Sequence, residues 1–474
     1  MHLVLGQAND GGIRNISWLL KLCQLDRFIA VSYGAQQKFA VAIERLIEEF
    51  GKAEQSRLAQ KMPNREITLC EDETFHPQIC LVAIEPVSNY LILEQYAAKR
   101  DAPTWNAAVD EALKPFSVTV IQCASDQAAA LISHAEKHLG VHHSPDLFHV
   151  QYETSRATSA PLHRQTEKAE KAFKHAEASY QQNAKKTADF NENWPCSLQQ
   201  LELEKELTCN APLLEEARNH ASQEFELSQS KQRRARDARL GIGQDYHPFD
   251  LKTGAIVEAS HAQEKLNAHF NTLNQVASEA GLKPSSFERL AKAKRVVPSM
   301  LETLLFFWRT IASRAAALAF SAEIVAVWKN QLVAAYYLAS VAGRCRDSKE
   351  RKRLRQLSKS ILAQAKARDG PLSALSGTEV SYLEEQARSA SEIFQRSSSC
   401  VEGRNGQLSL RHHGLREFSP RKLRVLGVLH NFVIQRSDGT TAANRFFGQP
   451  HRDLFGWLIE KMSLPSRPRH KVQR

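Results

Sequence analysis

The sequence predicts a mixed α/β layer interrupted by a large all-α segment, in a chain that is mostly helical overall. Three observations carry this. Between residues 65 and 148, short runs rich in Ile, Val and Leu are bounded by polar residues or proline and alternate with helical stretches. From about 160 to 390, strand signals nearly vanish and long, charged helical patterns take over. Near the C-terminus, SPRKLRVLGVLHNFVIQRSDGTTAANRFFG reads as one helix followed by a polar turn.

The elements follow in order. Residues 14–50 look helical, with Ile43, Leu46, Ile47 and Phe50 at helical spacing and Gly51 as a stop. Ser32-Tyr33-Gly34 reads either as the turn of a helix-turn-helix, with a second helix from Ala35, or as part of a plain helical packing unit. REITLC, QICLVAIEP and NYLILEQYA are strands, followed by a helix from Pro103 to about Leu113. The strand FSVTVIQCA ends at Ser125-Asp126; a helix over Gln127–Leu139 is closed by Gly140, and a short strand-like stretch spans Val141–Phe148. Inside the all-α segment, GIGQDYHPFDLKTG at 241–254 and residues 368–378 read as loops, and helix returns near Tyr382–Phe394. The expected organisation is an N-terminal helical domain over 1–60, the first part of the α/β core over 61–160, a helical insertion over 161–390, core completion over 391–437, and a C-terminal segment with a basic tail over 438–474.

Composition narrows the function classes. The chain has 474 residues, 42% hydrophobic and 24% charged, which suits a folded globular protein and excludes disorder. None of the eight cysteines forms a C-x-x-C pair, which argues against a structural zinc site, and their scatter argues against a disulfide framework and for a reducing cytosol. The N-terminus lacks the pattern of a signal peptide, and Arg314, Glu323 and Lys329 interrupt the most apolar stretch, 311–343, so a buried helix is expected there and no membrane partner. A net charge of +11 favours a polyanionic partner, most simply nucleic acid.

Three acids stand where a fold would build a metal site. Asp72 follows the first strand in TLCEDETF, Asp126 follows the fourth in VIQCASDQ, and Glu402 in CVEGRNG stands at the start of a late helix. Carboxylates at strand ends project toward a common edge, and such oxygen ligands suit Mg²⁺ or Mn²⁺. Each also has a plain reading: Asp126 as a helix cap, Asp72 in a solvated turn with Glu73 as an equally acidic neighbour, and Glu402 as a surface carboxylate. Asp101 and Asp110 fall on or before a helix and are weaker candidates.

The stretch from about 65 to 155 resembles the catalytic core of DDE transposases, which has a ribonuclease H-like fold. CEDETF places Asp72 as the first acid and CASDQ places Asp126 as the second. SPDLFHV supplies Asp146 and His149 of the D-x-x-H motif found in one branch of that family, and VEGRNG supplies Glu402 and Asn405 of an E-x-x-N motif, with Gly403 where the family usually has Asn. The C-terminal stretch and YHPFDLKTG are similar to bacterial insertion-sequence transposases. The resemblance implies two Mg²⁺ (or Mn²⁺) ions held by Asp72, Asp126 and Glu402, and His149 orienting an acid or contacting substrate. It further implies double-stranded DNA as partner at transposon ends and target, a homodimer in that complex, and a bacterial cytoplasmic, nucleoid-associated location. The helical insertion between the second and third acids would hold DNA through basic stretches, with Arg233, Arg234, Arg351, Lys352 and Arg353 as candidates. Arg404, Arg411, Arg416 and Arg421 are candidate phosphate contacts near Glu402. Trp105 and Trp308 could stack on bases, although their apolar helical surroundings favour core packing. Two alternatives stay open: an inactive or domesticated transposase-derived protein that only binds DNA, and a helical scaffold carrying an unrelated α/β domain.

Overall fold

The computed structural model describes residues 1–9, 11–75, 78–192, 197–415 and 418–462. It divides into two compact units. The first comprises Met1–Asp146 and the chain from Ser389 onward, and the second comprises Leu147–Arg388.

The first unit opens with α1 (Ile13–Leu22) and α2 (Tyr33–Ala59). Ser32 caps α2, its hydroxyl accepting the backbone N–H of Ala35, so Ser32-Tyr33-Gly34 is a helix start and not a turn. Residues 23–32 separate the two helices, far more than the 3–4 residues that a helix-turn-helix uses, so the arrangement favours the second of the two readings, a helical packing unit. A mixed five-stranded sheet follows: β1 (Arg65–Phe75), β2 (Ile79–Glu85), β3 (Tyr90–Ala97), then α3 (Ala102–Leu113), β4 (Val118–Ser125), α4 (Ala129–Ser133), a π-helical segment over His134–Leu139, and β5 (His142–Pro145). Gly140 ends the π-helical segment in the left-handed region at φ 66°. The order across the sheet is β3-β2-β1-β4-β5. β2 runs antiparallel to β1 and β3, whereas β1, β4 and β5 are parallel.

β1 continues beyond REITLC because Glu71–Phe75 pair with β2, Glu71 opposite Ala83 and Phe75 opposite Ile79. Asp72 therefore lies inside the strand, not after it. Strand alternation sorts side chains to two faces. On one face Ile67, Leu69, Leu81 and Ala83 join a core with Phe50, Trp105 and Phe446. On the other, Cys70, Val82, Ile84 and Ala124 pack with Val401, Leu408 and Leu426. Trp105 is fully buried in the first core, which removes it as a base-stacking residue.

The second unit is all-α: α5 (Leu147–Glu192), α6 (Leu198–Asp245), α7 (Ala259–Glu279), α8 (Pro284–Lys294), α9 (Val297–Ala317), α10 (Ala322–Val327), α11 (Val333–Arg344), α12 (Ser348–Ala365) and α13 (Gly377–Ser391). The expected insertion is thus observed, but it starts at Leu147 and not at 161, because α5 runs through Pro161. The expected loop at 241–254 starts later, since α6 reaches Asp245. Beyond that residue the chain buckles: Phe249 bridges Ile256, Asp250 accepts the N–H groups of Lys252 and Thr253 at 2.8 Å each, and Gly254 takes φ 76°. Trp308 donates its indole N–H to the Val257 carbonyl at 3.2 Å and meets Phe249 edge-on, a packing role.

The chain then adds α14 (Ser399–Leu415), α15 (Pro420–Phe432), α16 (Ala442–Phe447) and α17 (Leu454–Lys461). Phe446 and Phe447 of α16 pack with Tyr90 of β3, and Phe50 of α2 packs with Phe432 and Trp457. Residues 1–60 and 438–462 are therefore not separate domains; their apolar faces complete the cover of the sheet. Among the described residues no helix is long and apolar enough to cross a membrane. The seven described cysteines are free; Cys196 and the basic tail lie outside the described residues.

Gly51 does not stop α2; it allows close approach of α15, since a Cβ there would lie 2.4 Å from Val428 Cγ2. Gly51→Ala is expected to destabilise the protein by ~1–2 kcal/mol despite alanine's better helix propensity, because overpacking a tight contact outweighs it. Urea denaturation checks this. Adding Val428→Ala should recover most of the loss, and a neutral or stabilising Gly51→Ala would contradict the contact argument.

Candidate active site

The parallel strands bring the acids together. Cys70 of β1 pairs with Ala124 of β4, so Asp72 and Asp126, each two residues further on, leave the same end of adjacent strands. On the next strand Ser125 pairs with Pro145, and the N–H of Asp146 donates to the Ser125 carbonyl at 2.9 Å. Asp72, two residues beyond the last pairing of β1 with β4, thus stands beside Asp126 and Asp146, which directly follow β4 and β5.

Each has a defined setting. Asp126 accepts the N–H of Ala128 at 2.9 Å in a side-chain turn. The cap position of α4 is Ala128, so Asp126 is not that helix's cap. Asp72 accepts the N–H of Glu73 at 2.9 Å on Oδ1 and the Asn405 amide at 2.8 Å on Oδ2. Strand alternation decides between Asp72 and Glu73: Asp72 faces α14, while Glu73 pairs with Arg100 at 3.0 Å. Asp101 caps α3 through the N–H of Thr104, and Asp110 pairs with His138 at 2.9 Å, so both serve local structure.

Helix α14 reaches the acids from the far end of the sequence. The buried Asp146 carboxylate accepts the Ser398 hydroxyl at 2.7 Å and its N–H at 3.3 Å, anchoring the start of the helix. Glu402 follows one turn later, its N–H donating to the Ser398 carbonyl at 3.2 Å. Carboxylate oxygens of Asp146 and Glu402 lie within 4.8 Å of each other. Arg404 makes a bidentate pair with Glu94 of β3, both contacts 2.6 Å and both side chains buried. Asn405 then meets Asp72, and its Oδ1 is buried without a protein partner. Beneath the acids, Gln122 accepts from Thr68 at 3.1 Å and donates to Ser144, tying β1, β4 and β5 together. Ser125 and His143 share a hydrogen bond at 2.9 Å. Burial holds the His143 imidazole below its usual range, partly opposed by Asp126.

The charge balance is uneven. Burial and then the Glu402 carboxylate push the Asp72 carboxyl up to about 7, with Asp126 and Glu73 adding to the push and the Glu73 N–H opposing it. A buried carboxyl with other carboxylates around it and a spare amide oxygen beside it suits a hard divalent cation such as Mg²⁺ or Mn²⁺. Asp72 and Asp126 leave adjacent strands and the Glu402 carboxylate acts on Asp72, while Asp146 and Glu402 are the carboxylates whose oxygens lie within 4.8 Å of each other.

The remaining sequence candidates take the following positions. His149 lies in the first turn of α5. Arg404 is buried on Glu94 and is corrected from phosphate contact to structural residue. Arg411 is half-buried and donates to the Ala8 carbonyl at 2.7 Å, and Arg421, half exposed, pairs with Glu48 at 3.3 Å. Arg416 lies outside the described residues. Arg234 is engaged by Glu279 at 2.6 Å. Arg351 donates to the carbonyls of Cys345 and Arg346 at 3.0 Å, and Arg353 pairs with Glu350 and bonds the Leu251 carbonyl at 3.0 Å, so both are corrected to helix-end and loop anchors. Arg233 and Lys352 are exposed.

Sequence reasoning missed Glu94 and Ser398. Glu94 had a legible signal, since an acid inside the apolar run NYLILEQYA needs a buried partner. Ser398, in a serine-rich run, had none.

Residues 328–474 match a family model described as "Family of unknown function (DUF6399)". That stretch contains Glu402, Arg404 and Asn405. It covers less than a third of the chain. No curated protein and no solved structure matches the chain significantly.

In the folded chain Asp72 keeps its proton up to about 7, against 3.8 for an ordinary aspartate carboxyl. Its contribution to stability is therefore present below pH 3.8 and is lost as pH rises through that window to about 7. Asp72→Asn should raise the metal-free Tm at pH 8 by about 2–4 °C, the shift that ~1 kcal/mol gives at this domain size. The gain should shrink toward pH 4 and diminish when Mg²⁺ is added to both proteins at pH 8. A Tm difference independent of pH would contradict the placement of Asp72 among the other acids.

Proposed function

We propose that the chain is a DDE-type DNA transposase that cleaves transposon ends and joins them to target DNA by metal-dependent phosphoryl transfer. The observation that carries this is the juxtaposition of Asp72 and Asp126 on the adjacent parallel strands β1 and β4 with Glu402 from α14: burial first, and then the Glu402 and Asp126 carboxylates, raise the Asp72 carboxyl to about 7. The sheet order β3-β2-β1-β4-β5, with β2 antiparallel to the rest, supports the reading of a ribonuclease H-like core. The net charge of +11 supports DNA as partner.

In this mechanism Asp72, Asp126 and Glu402 would hold two Mg²⁺ (or Mn²⁺) ions, which would supply Lewis-acid activation of a hydroxyl nucleophile and charge stabilisation of the leaving oxygen. Asn405 donates to the Asp72 Oδ2 and so holds that carboxylate in one orientation, while its own Oδ1 is buried without a protein partner. Asp146 and Ser398 fix the start of α14 and thereby the position of Glu402. The Gln122 and Ser125–His143 hydrogen bonds keep the three strand ends in register. No residue forms a covalent bond to DNA. Two transposon ends require two active sites, which calls for a homodimer on DNA, and a bacterial cytoplasm with nucleoid association is the matching location.

Asp126→Asn should leave DNA binding unchanged and lower Mg²⁺-dependent cleavage of the source element's terminal repeats by about 10³-fold, equivalent to ~4 kcal/mol of transition-state stabilisation. Cleavage equal to the parent would refute the assigned site. A parent protein that binds the repeats but cuts with neither Mg²⁺ nor Mn²⁺ would favour the DNA-binding, non-catalytic alternative.

A further inference from the structure

One face of α5 gathers part-exposed flat side chains and the rim of a basic groove. Phe148 and Tyr152 are 43% and 44% exposed and stack at 6.2 Å with planes 23° apart. The Arg156 guanidinium lies 5.6 Å from the Tyr152 ring centroid and bonds its hydroxyl at 2.9 Å. The three residues form an i, i+4, i+8 ladder of flat groups beginning two residues after Asp146. Further along the helix, Ser159, His163, Thr166 and Glu170 line a groove of about 730 Å³ between α5 and α6. At 3.6 residues per turn, positions 148, 152, 156, 159, 163, 166 and 170 fall within a sector of ~80°, so ladder and groove share one face over ~33 Å. Pro161 lies on the opposite side of the helix and does not interrupt it.

The groove is basic. From α6, Arg233, Arg236 and Arg239 line it, joined by His163. Arg233 and Arg236 are exposed, and Arg239 is held by the Ser155 hydroxyl at 3.1 Å. The acid among the described lining residues, Glu170, is paired with Lys174 at 2.6 Å. Arg234, adjacent in sequence, turns away to Glu279. Arginine groups projecting into a concave channel match phosphodiester oxygens, and exposed aromatic and guanidinium faces match unstacked bases.

We infer that this face is a DNA track: the arginine groove takes the phosphate backbone of a duplex, and the Phe148–Tyr152–Arg156 ladder takes unpaired bases at its end. The groove stretch from Ser159 to Glu170, ~17 Å long, would span about five base pairs at 3.4 Å each. The inference rests on the DNA-processing reading for its biological sense, but its test does not depend on catalysis.

The full chain is titrated, in EDTA, into a fluorescent 20-base-pair duplex that is either blunt or carries a four-nucleotide single-stranded overhang, and anisotropy is followed at several salt concentrations. Arg233→Ala/Arg236→Ala should weaken binding to both probes and flatten the plot of log affinity against log salt by about 2, the slope of two lost phosphate contacts. Phe148→Ala/Tyr152→Ala should leave the blunt duplex unchanged and reduce overhang affinity about tenfold, within the range for lost base stacking. The inference is overturned if the arginine variant keeps the parental affinity and salt slope, or if the aromatic variant loses equally on both probes. Asp126→Asn binds as the parent does in either case. Normal cleavage by the arginine variant together with parental binding would therefore sink the track alone, whereas salt-sensitive binding with no cleavage by any form would sink the catalytic reading and leave the track standing.

Discussion

Arg404 and Glu94 meet as a buried, doubly hydrogen-bonded ion pair, and the arrangement of the acids depends on it. Two charges removed from water are tolerable only while they face each other; removing one partner typically costs ~3–5 kcal/mol. The pair therefore locks α14 to β3 in one rotation and one register. In that register Val401 and Leu408 enter the core on the sheet's second face, Asn405 reaches Asp72, and Glu402 stands beside Asp146. A plain apolar contact between helix and sheet would have tolerated sliding. The ion pair, with Ser398 on Asp146 at the helix start, supplies the directional constraints that packing lacks.

The sheet contributes a second constraint. Parallel pairing of β1, β4 and β5 sends their C-terminal ends to one edge, and the register places Asp72, Asp126 and Asp146 at successive positions there. Burying a carboxyl and gathering like charges around it both destabilise the fold, and the raised proton affinity of Asp72 is the consequence. Such a cost is a common mark of a functional site, where local stability is given up for chemistry. The buried hydrogen bonds of Gln122, Ser144, Ser125 and His143 just below the acids hold the strands together against that repulsion.

Several sequence expectations failed for one physical reason: a local pattern cannot report a distant partner. Gly51 read as a helix stop because glycine often ends helices, but α2 continues and the glycine admits Val428. Arg404 read as a phosphate contact because it follows Glu402, but its partner lies on β3, 310 residues away in the chain. The basic runs at 231–239 and 349–355 looked alike in sequence. In the fold, Arg234, Arg351 and Arg353 are consumed by carboxylates and carbonyls, while Arg233 and Arg236 remain exposed.

The sequence by itself determined what periodicity and composition encode: the five strands and their order along the chain, the long helical excursion, the basic charge, and the two strand-borne aspartates. These are local properties, set by alternation of apolar residues over a few positions. Only the tertiary structure decided which carboxylates meet. Strand alternation turned Asp72, and not Glu73, toward α14, and the ion pair of Arg404 with Glu94 oriented the helix that carries Glu402. Glu402 stands 330 residues from Asp72 in the chain, and no pattern within either segment records that the two share one pocket of charge; that arises from sheet register and helix docking alone.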